Sequence, residues 1–202
     1  MRPLLTRCFL PVALLVFAHL GFAQQSAQLS GIIDSPDPLA EGTRVAIHIV
    51  DQQGVWGDEI ATVAPVAGTF SITAEPVEGQ QLRSFRSGAV LLPGLQNEYQ
   101  VAPSGVNFLQ GRVNLYVDND GSGVFDRITD AFYVGVSSLQ EPVGFFSLIY
   151  VDQAATITSG DVSLELAPGW NIFTVRFPGD GATVYDVRQR VDDLVLTAVL
   201  PD

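Results

Sequence analysis

The sequence predicts an all-β fold, made of one or two antiparallel β-sandwich-like units with little helix. Its apolar residues fall in short runs in which apolar and polar side chains alternate, which is the pattern of a half-buried strand. β-Branched and aromatic residues dominate these runs, and Gly, Pro and Asp separate them. Stretches with a helical period are almost absent.

The candidate strands follow in order along the chain and end at turn residues such as those of segments 35–38 and 178–181. They span residues 29–33, 44–51, 60–66, 69–74, 89–92, 112–117, 131–136, 145–151, 162–166, 171–177 and 194–200. Segment 186–193 is ambiguous. Val187, Val191 and Leu194 align on one face of a short helix, and the same segment also suits a loop that enters the last strand.

Residues 1–23 have the pattern of a signal peptide. Arg2 and Arg7 precede an apolar run, residues 8–20, that is too short to anchor a chain in a bilayer. Gly21 and Ala23 are small enough for a signal peptidase site. We therefore expect an extracellular, periplasmic or cell-surface location, with no transmembrane segment after cleavage.

A polar segment with turn residues on both sides, residues 97–105, suggests a boundary in the remaining chain. It divides the chain into a β-sandwich-like unit, residues 24–103, and a second β unit, residues 104–202. The alternative is that the two halves share one core.

The charge and the cysteine content exclude several functional classes. The chain carries 22 acidic residues against ten basic ones, all of them Arg, for a formal net charge of −12. This charge repels nucleic acid, so we expect no nucleic-acid partner. The single cysteine, Cys8, lies in the predicted signal peptide, so the rest of the chain has neither a disulfide nor a thiolate nucleophile.

The strongest local motif is segment 118–126, in which oxygen-bearing side chains occupy alternate positions ahead of Gly123. Over about nine residues this order of donors resembles the calcium loop of EF-hands and dockerins. The resemblance implies a structural Ca²⁺ ion. The predicted metal ligands are Asp118, Asp120, Ser122, Val124 through its carbonyl, Asp126 and Asp130.

The motif departs from an EF-hand at its end. Thr129 stands where the bidentate carboxylate belongs, and the nearest acid, Asp130, follows one residue later. The flanking segments also read as strands rather than helices. The prediction is therefore a calcium loop between strands, closed by Asp130. The alternative is a hairpin loop rich in Asp, Asn and Gly because those residues suit turns.

No catalytic residue is predicted, and we expect a non-enzymatic protein. His48 is the only histidine after residue 23 and has no Gly-x-Ser-x-Gly partner motif. Alternation places it on the opposite strand face from Ile47 and Ile49, as a partly exposed side chain. Adjacent acids such as Asp58 and Glu59 are too common in an acidic chain to indicate a hydrolase.

Two tryptophans, Trp56 and Trp170, lie at predicted turns. Each ring either caps one end of the β-sandwich, which we favour, or stays exposed and stacks on a sugar ring.

Two segments resemble known families. Residues 29–75, with Leu-Ser-Gly-Ile-Ile early and Gly-Thr-Phe-Ser-Ile late, resemble transthyretin-like or carboxypeptidase-regulatory-like β modules. Residues 145–177, with a Tyr-Val-Asp strand followed by Gly-Trp-Asn, are similar to uncharacterised secreted or lipoprotein-type envelope proteins of bacteria. Together these resemblances imply a β fold and an envelope location, and they imply no activity.

The sequence therefore favours a secreted or envelope-associated protein that acts in surface assembly or partner binding, with a structural Ca²⁺ loop. An envelope protein, a surface protein or a glycan is the expected partner. The alternative is a module that binds carbohydrate or another small ligand. A carboxylate-based hydrolase is a more distant alternative.

Overall fold

The described part of the chain is built from strands. The computed structural model describes residues 23–51, 53–78, 80–86, 92, 94–95, 99–133, 135 and 137–199. Across these residues there is no helix, which confirms the predicted all-β fold. The strands are β1 (Ala27–Asp34), β2 (Thr43–Val50), β3 (Trp56–Val63), β4 (Thr69–Ala74), β5 (Arg83–Ser84), β6 (Gln100–Ala102), β7 (Asn107–Val117), β8 (Ala131–Phe132), β9 (Ser137–Leu139), β10 (Gly144–Val151), β11 (Ala155–Ser159), β12 (Val162–Leu166), β13 (Gly169–Arg176), β14 (Val184–Arg188) and β15 (Arg190–Thr197).

Two of the sequence predictions concern residues outside this part of the chain. The predicted signal peptide lies there except for Ala23, as does the candidate strand 89–92 except for Leu92. Within the described residues, no helical segment combines the length and the apolar character that crossing a membrane requires.

Most strands belong to one sheet that curls into a nearly closed, barrel-like layer. Its strands run in the order β3-β2-β7-β10-β9-β15-β1-β4, and the two end strands, β3 and β4, lie against each other. Off this path, β13 pairs with β10 and β14, while β5 and β8 pair with β7. A second, three-stranded sheet has the order β12-β11-β6.

Two apolar cores follow from this arrangement, and β13 contributes to both because all eight of its residues are buried. Successive side chains of a strand point to opposite faces. Trp170 and Ile172 accordingly pack into the core inside the curled sheet, with Leu29, Ile47 and many others. Phe173 and Val175 pack into a second core, which includes residues of the three-stranded sheet.

Strand pairing crosses the boundary that the sequence suggests at residues 103 and 104. β2 pairs with β7 along its whole length, from Thr43 opposite Val117 to Val50 opposite Gln110. β1 pairs with β15 in parallel, and the inner core draws side chains from both sides of the boundary. The division into two units stays a prediction, and strands from both sides of the boundary pair within one sheet.

The segment read as a short helix or a loop, residues 186–193, is neither. It lies in β14 and β15, with a break at Gln189. Hydrogen bonding explains the outcome, since β14 completes a ladder with β13 and β15 one with β1 and β9. If this segment were a short helix, backbone groups along the edges of β13, β1 and β9 would lose their hydrogen-bond partners.

The β1–β15 pairing depends on the absence of a side chain at Gly31. A Cβ atom there would overlap the backbone carbonyl of Leu194, which cannot move without breaking the ladder. We expect Gly31→Ala to lower the free energy of unfolding by about 1–3 kcal/mol, measured by urea denaturation. Gly57→Ala is the matched control, because its Cβ would lie 3.4 Å from the Ile49 carbonyl oxygen. Equal stability of the two variants would show that the β1–β15 pairing does not depend on the missing side chain at Gly31.

Candidate functional site

The acidic loop, residues 118–130, joins β7 to β8 as the loop of a hairpin. Tyr116 pairs with Phe132, and Val117 pairs with Ala131. The loop therefore begins and ends at neighbouring positions, which brings Asp118 at its start close to Asp130 at its end. The flanking strands agree with the sequence prediction, and the hairpin explains how an acid one residue late still reaches the cluster.

Three carboxylates of the loop converge. One oxygen from each of Asp118, Asp120 and Asp130 lies within 4.8 Å of the other two. Ca²⁺ binds oxygen ligands at about 2.3–2.6 Å, so oxygens on opposite sides of one ion are about 5 Å apart. The cluster thus has dimensions that a single cation can bridge.

Asp118 is the buried member of the cluster, with 2% of its side chain exposed. Its Oδ2 accepts a hydrogen bond from Arg44 Nε at 2.7 Å and another from the Gly123 backbone N–H at 2.9 Å. Its Oδ1 is buried and has no hydrogen-bond partner among the described residues while both Asp118 and Asp120 are ionised. A buried carboxylate oxygen without a partner is unfavourable, because it has lost contact with water and gained no hydrogen bond in return.

The ionisation of Asp118 follows from these contacts. Burial works against the charged form, but the hydrogen bonds from Arg44 and Gly123 outweigh it and hold the pKa of Asp118 below its usual value. Asp120 lies within hydrogen-bonding reach of Asp118 once either carboxyl group takes a proton. A proton and a cation are therefore alternative ways to reduce the repulsion between these two groups.

The other two carboxylates are held in place by backbone amides. Asp130 accepts hydrogen bonds from the Asn119 N–H at 3.0 Å and the Asp126 N–H at 2.8 Å. Asp120 accepts one from the Ser122 N–H at 2.9 Å. Such bonds fix the direction of each carboxylate before any ligand arrives.

The remaining predicted ligands make hydrogen bonds within the loop instead. Ser122 Oγ donates to the Val124 carbonyl oxygen at 2.8 Å. Asp126 Oδ1 accepts the Ile128 N–H at 2.8 Å, and its carboxylate is not a member of the three-carboxylate group. Of the six predicted ligands, the structure brings together the side chains of Asp118, Asp120 and Asp130.

Beneath the loop lies a cluster of rings that we call the aromatic floor: His48, Trp56, Tyr116 and Phe132. His48 stacks on Trp56 with ring centroids 5.1 Å apart, and Phe125 meets His48 edge-on at 5.6 Å. Phe125 also contacts Tyr116 at 5.2 Å and Phe132 at 4.1 Å. Phe125 is the loop residue that ties the acidic loop to the outer face of β2 and β7.

His48 is buried in this cluster, with 1% exposure, so the expectation of a partly exposed histidine is wrong. The predicted strand face is right, since Ile47 lies in the inner core and His48 faces outward. The outward face is covered here by Trp56 of β3 and by Phe125 of the acidic loop. Alternation along one strand carries no information about that cover.

Glu59 is the charged neighbour of His48. Its Oε2 lies 3.7 Å from His48 Nε2 and accepts the Phe125 N–H at 3.3 Å. Asn114 Nδ2 lies 3.4 Å from His48 Nδ1 and can only donate, which places the proton of a neutral imidazole on Nε2. Burial raises the pKa of Glu59, and burial together with the charge of Arg127 lowers the pKa of His48 to about 4.

Both tryptophans and Asp193, an acid of β15, have structural contacts. Trp170 is fully buried, and its Nε1 donates to the Glu75 carbonyl oxygen at 2.8 Å, so its ring is not offered to a sugar. Trp56 is half-buried in the aromatic floor. Asp193 accepts two hydrogen bonds from Arg176, at 2.7 and 2.9 Å.

Two residues of the site were not predicted as part of it: Arg44, which neutralises Asp118, and Phe125, which anchors the loop. Only the Asp-Asn-Asp-Gly-Ser-Gly motif marks this region in the sequence. The register that places Arg44 opposite Tyr116, next to Asp118, depends on pairing between distant strands.

No protein-family model matches the chain, and neither a curated protein nor a solved structure matches it. The resemblances to transthyretin-like modules and to bacterial envelope proteins therefore stay predictions.

The burial of His48 makes stability depend on pH. Its pKa of about 4 in the folded state is below the ordinary 6.5, so its contribution is complete above pH 6.5 and is lost as pH falls toward 4. We expect the free energy of unfolding to fall across this window by up to roughly 3 kcal/mol from this group. His48→Gln removes that dependence.

The measurement is urea denaturation of both proteins from pH 7.5 to 4. Glu59 works in the opposite direction because its pKa is raised, and Tyr116, whose pKa burial raises to about 12, stays neutral over this range. The difference between the two curves therefore isolates His48. Parallel curves for the two proteins would show that His48 is not buried in neutral form.

Proposed function

We propose that this chain is a non-enzymatic, secreted or envelope-associated β protein whose acidic loop binds a divalent cation of the Ca²⁺ type. The observation that carries the proposal is the convergence of Asp118, Asp120 and Asp130, with the buried Asp118 Oδ1 lacking a hydrogen-bond partner. A cation at this point supplies the missing partner and offsets the repulsion among three carboxylates.

The donor set favours Ca²⁺ over transition metals. Loop 118–130 contains neither His nor Cys, and carboxylate and carbonyl oxygens suit hard cations. Ca²⁺ also tolerates irregular geometry and completes its shell with water, whereas Mg²⁺ demands a near-octahedral arrangement. Three protein carboxylates around a partly exposed site match the more permissive ion.

The role of the ion is to order the loop rather than to take part in chemistry. Asp118 follows the longest strand, and the same loop carries Phe125 into the aromatic floor. A bound ion thereby fixes a surface loop on a rigid sheet, which suits surface assembly or the binding of an envelope or surface protein or glycan. Secretion rests on the signal-peptide pattern of residues 1–23.

Partner binding has further support away from the loop, where β10 begins and β13 ends. Val143, Phe145 and Phe177 are 62%, 44% and 41% exposed, and the two phenylalanine rings lie 6.1 Å apart. β14, beside them, pairs with β13 and with no second strand among the described residues. Exposed apolar groups and free strand edges are typical of interaction surfaces.

We expect Ca²⁺ to bind the wild-type protein in isothermal titration calorimetry and to raise its melting temperature relative to a sample in EDTA. At a free Ca²⁺ concentration of 100 times the dissociation constant, the gain in stability is about 2.7 kcal/mol. Asp120→Asn should abolish both effects at the same concentration, since it removes a ligand charge and leaves the Asp118–Arg44 pair intact.

Asp126→Asn is the matched control, because it makes the same charge change in the same loop, and Oδ1 of the amide still accepts the Ile128 N–H. It should keep the Ca²⁺-dependent stabilisation. An absence of binding heat and of any melting shift in the wild type would refute the cation site and leave a hairpin loop rich in turn residues. Equal losses in the two variants would indicate an effect of net charge alone.

A further inference from the structure

Phe125 of the acidic loop and Trp56 of β3 together cover a group of buried polar side chains on the outer face of the sheet. His48 is 1% exposed and Tyr116 is fully buried, while the side chain of Glu59 is 8% exposed. These residues lie on the side of β2, β3 and β7 that faces away from the inner core. Phe125, from the middle of the loop, lies over His48 and Tyr116.

The loop is attached to this surface by few backbone bonds. Phe125 N–H donates to Glu59, and the Arg127 side chain donates to the Trp56 carbonyl oxygen. Beyond the Val117–Ala131 pair no ladder continues into the loop, and several of its inner hydrogen bonds run to the carboxylates of Asp118, Asp120 and Asp130. The position of the cover is therefore set by the same carboxylates that form the cation cluster.

Those carboxylates repel one another. Three of them have oxygens within 4.8 Å, and Arg44 pairs with only one, Asp118. Like charges at this spacing favour separation unless a cation or a proton lies between them. Loss of the cation therefore favours a displaced loop, and a displaced loop lifts Phe125 from the aromatic floor.

Exposure to water would stabilise the covered His48 side chain. His48 Nε2 is buried without a hydrogen-bond partner, because Glu59 Oε2 at 3.7 Å is beyond hydrogen-bonding distance. Water reaching this atom would supply the missing bond. In the closed arrangement His48 Nε2 is cut off from water, and the packing of Phe125 offsets this loss. Small changes at the loop therefore shift the equilibrium between the closed and the open arrangement.

We infer that the acidic loop is a cation-controlled lid: the ion-bound loop closes over His48 and Glu59, and loss of the ion opens a pocket lined by these residues and Trp56. The inference rests on the proposed cation site. When the lid is open, the pocket presents an imidazole, a carboxylate and an indole face to solvent. Those groups can take a ligand with both a planar apolar part and hydrogen-bonding atoms.

The test is the rate at which diethyl pyrocarbonate modifies His48 at pH 7, followed by peptide mass spectrometry so that His19 does not contribute. The reagent attacks a neutral, accessible imidazole. If opening requires release of the ion, Ca²⁺ at ten times its dissociation constant slows the modification about tenfold relative to EDTA. Asp120→Asn, which lacks a ligand charge, should show the same rate with Ca²⁺ as with EDTA, and Asp126→Asn should behave like the wild type.

Phe125→Ala separates the lid from the ion. It keeps all three carboxylates, so calorimetry should still detect Ca²⁺ binding, but His48 should react rapidly with or without the ion. Circular dichroism checks that each variant is folded, and Phe125→Leu replaces it if the alanine variant is not.

The outcomes distinguish the two proposals. Calorimetric binding of Ca²⁺ by the wild type together with an unchanged His48 rate would overturn the lid and leave the cation site intact. No binding at all would overturn both. Ca²⁺-dependent protection of His48 that Phe125→Ala abolishes supports the lid.

Discussion

The arrangement of this site depends on one buried carboxylate, that of Asp118 at the end of β7. A charge this poorly exposed must be compensated within the protein. Arg44 and the Gly123 N–H satisfy one of its oxygens, whereas the other lacks a hydrogen-bond donor, and two further carboxylates converge on the same side chain. Protein groups thus supply partners for one oxygen of Asp118 only, and a cation is the simplest species that supplies a partner for the other.

The sheet explains why this charge is buried at all. β7 is the longest strand and pairs with β2, β5, β8 and β10, so it is held on both sides. The backbone of Asp118 is fixed too, since its N–H donates to the Gly42 carbonyl oxygen at 3.1 Å. Gly42 is required at this contact because a Cβ atom there would lie 2.7 Å from the Asp118 carbonyl oxygen. The strand pairing leaves Asp118 no freedom to move into solvent.

Local patterns in the sequence predict the strands and the acidic loop but not the surroundings of the loop. Alternation in β2 correctly separates Ile47 from His48, because a strand's two faces are a local property. The burial of His48 depends on Phe125, some 77 positions away in a different hairpin, and no pattern within β2 reports it. Segment 186–193 shows the same limit, because its pairing with β13, β1 and β9 outweighs its weak helical period.

The most direct test is a crystal structure of the protein grown with millimolar Ca²⁺. We expect a single Ca²⁺ ion with Asp118 Oδ1 among its ligands at about 2.3–2.6 Å, joined by oxygens of Asp120 and Asp130. The cation site would be refuted if Asp118 Oδ1 instead accepted a hydrogen bond from water or a side chain, with no cation beside it.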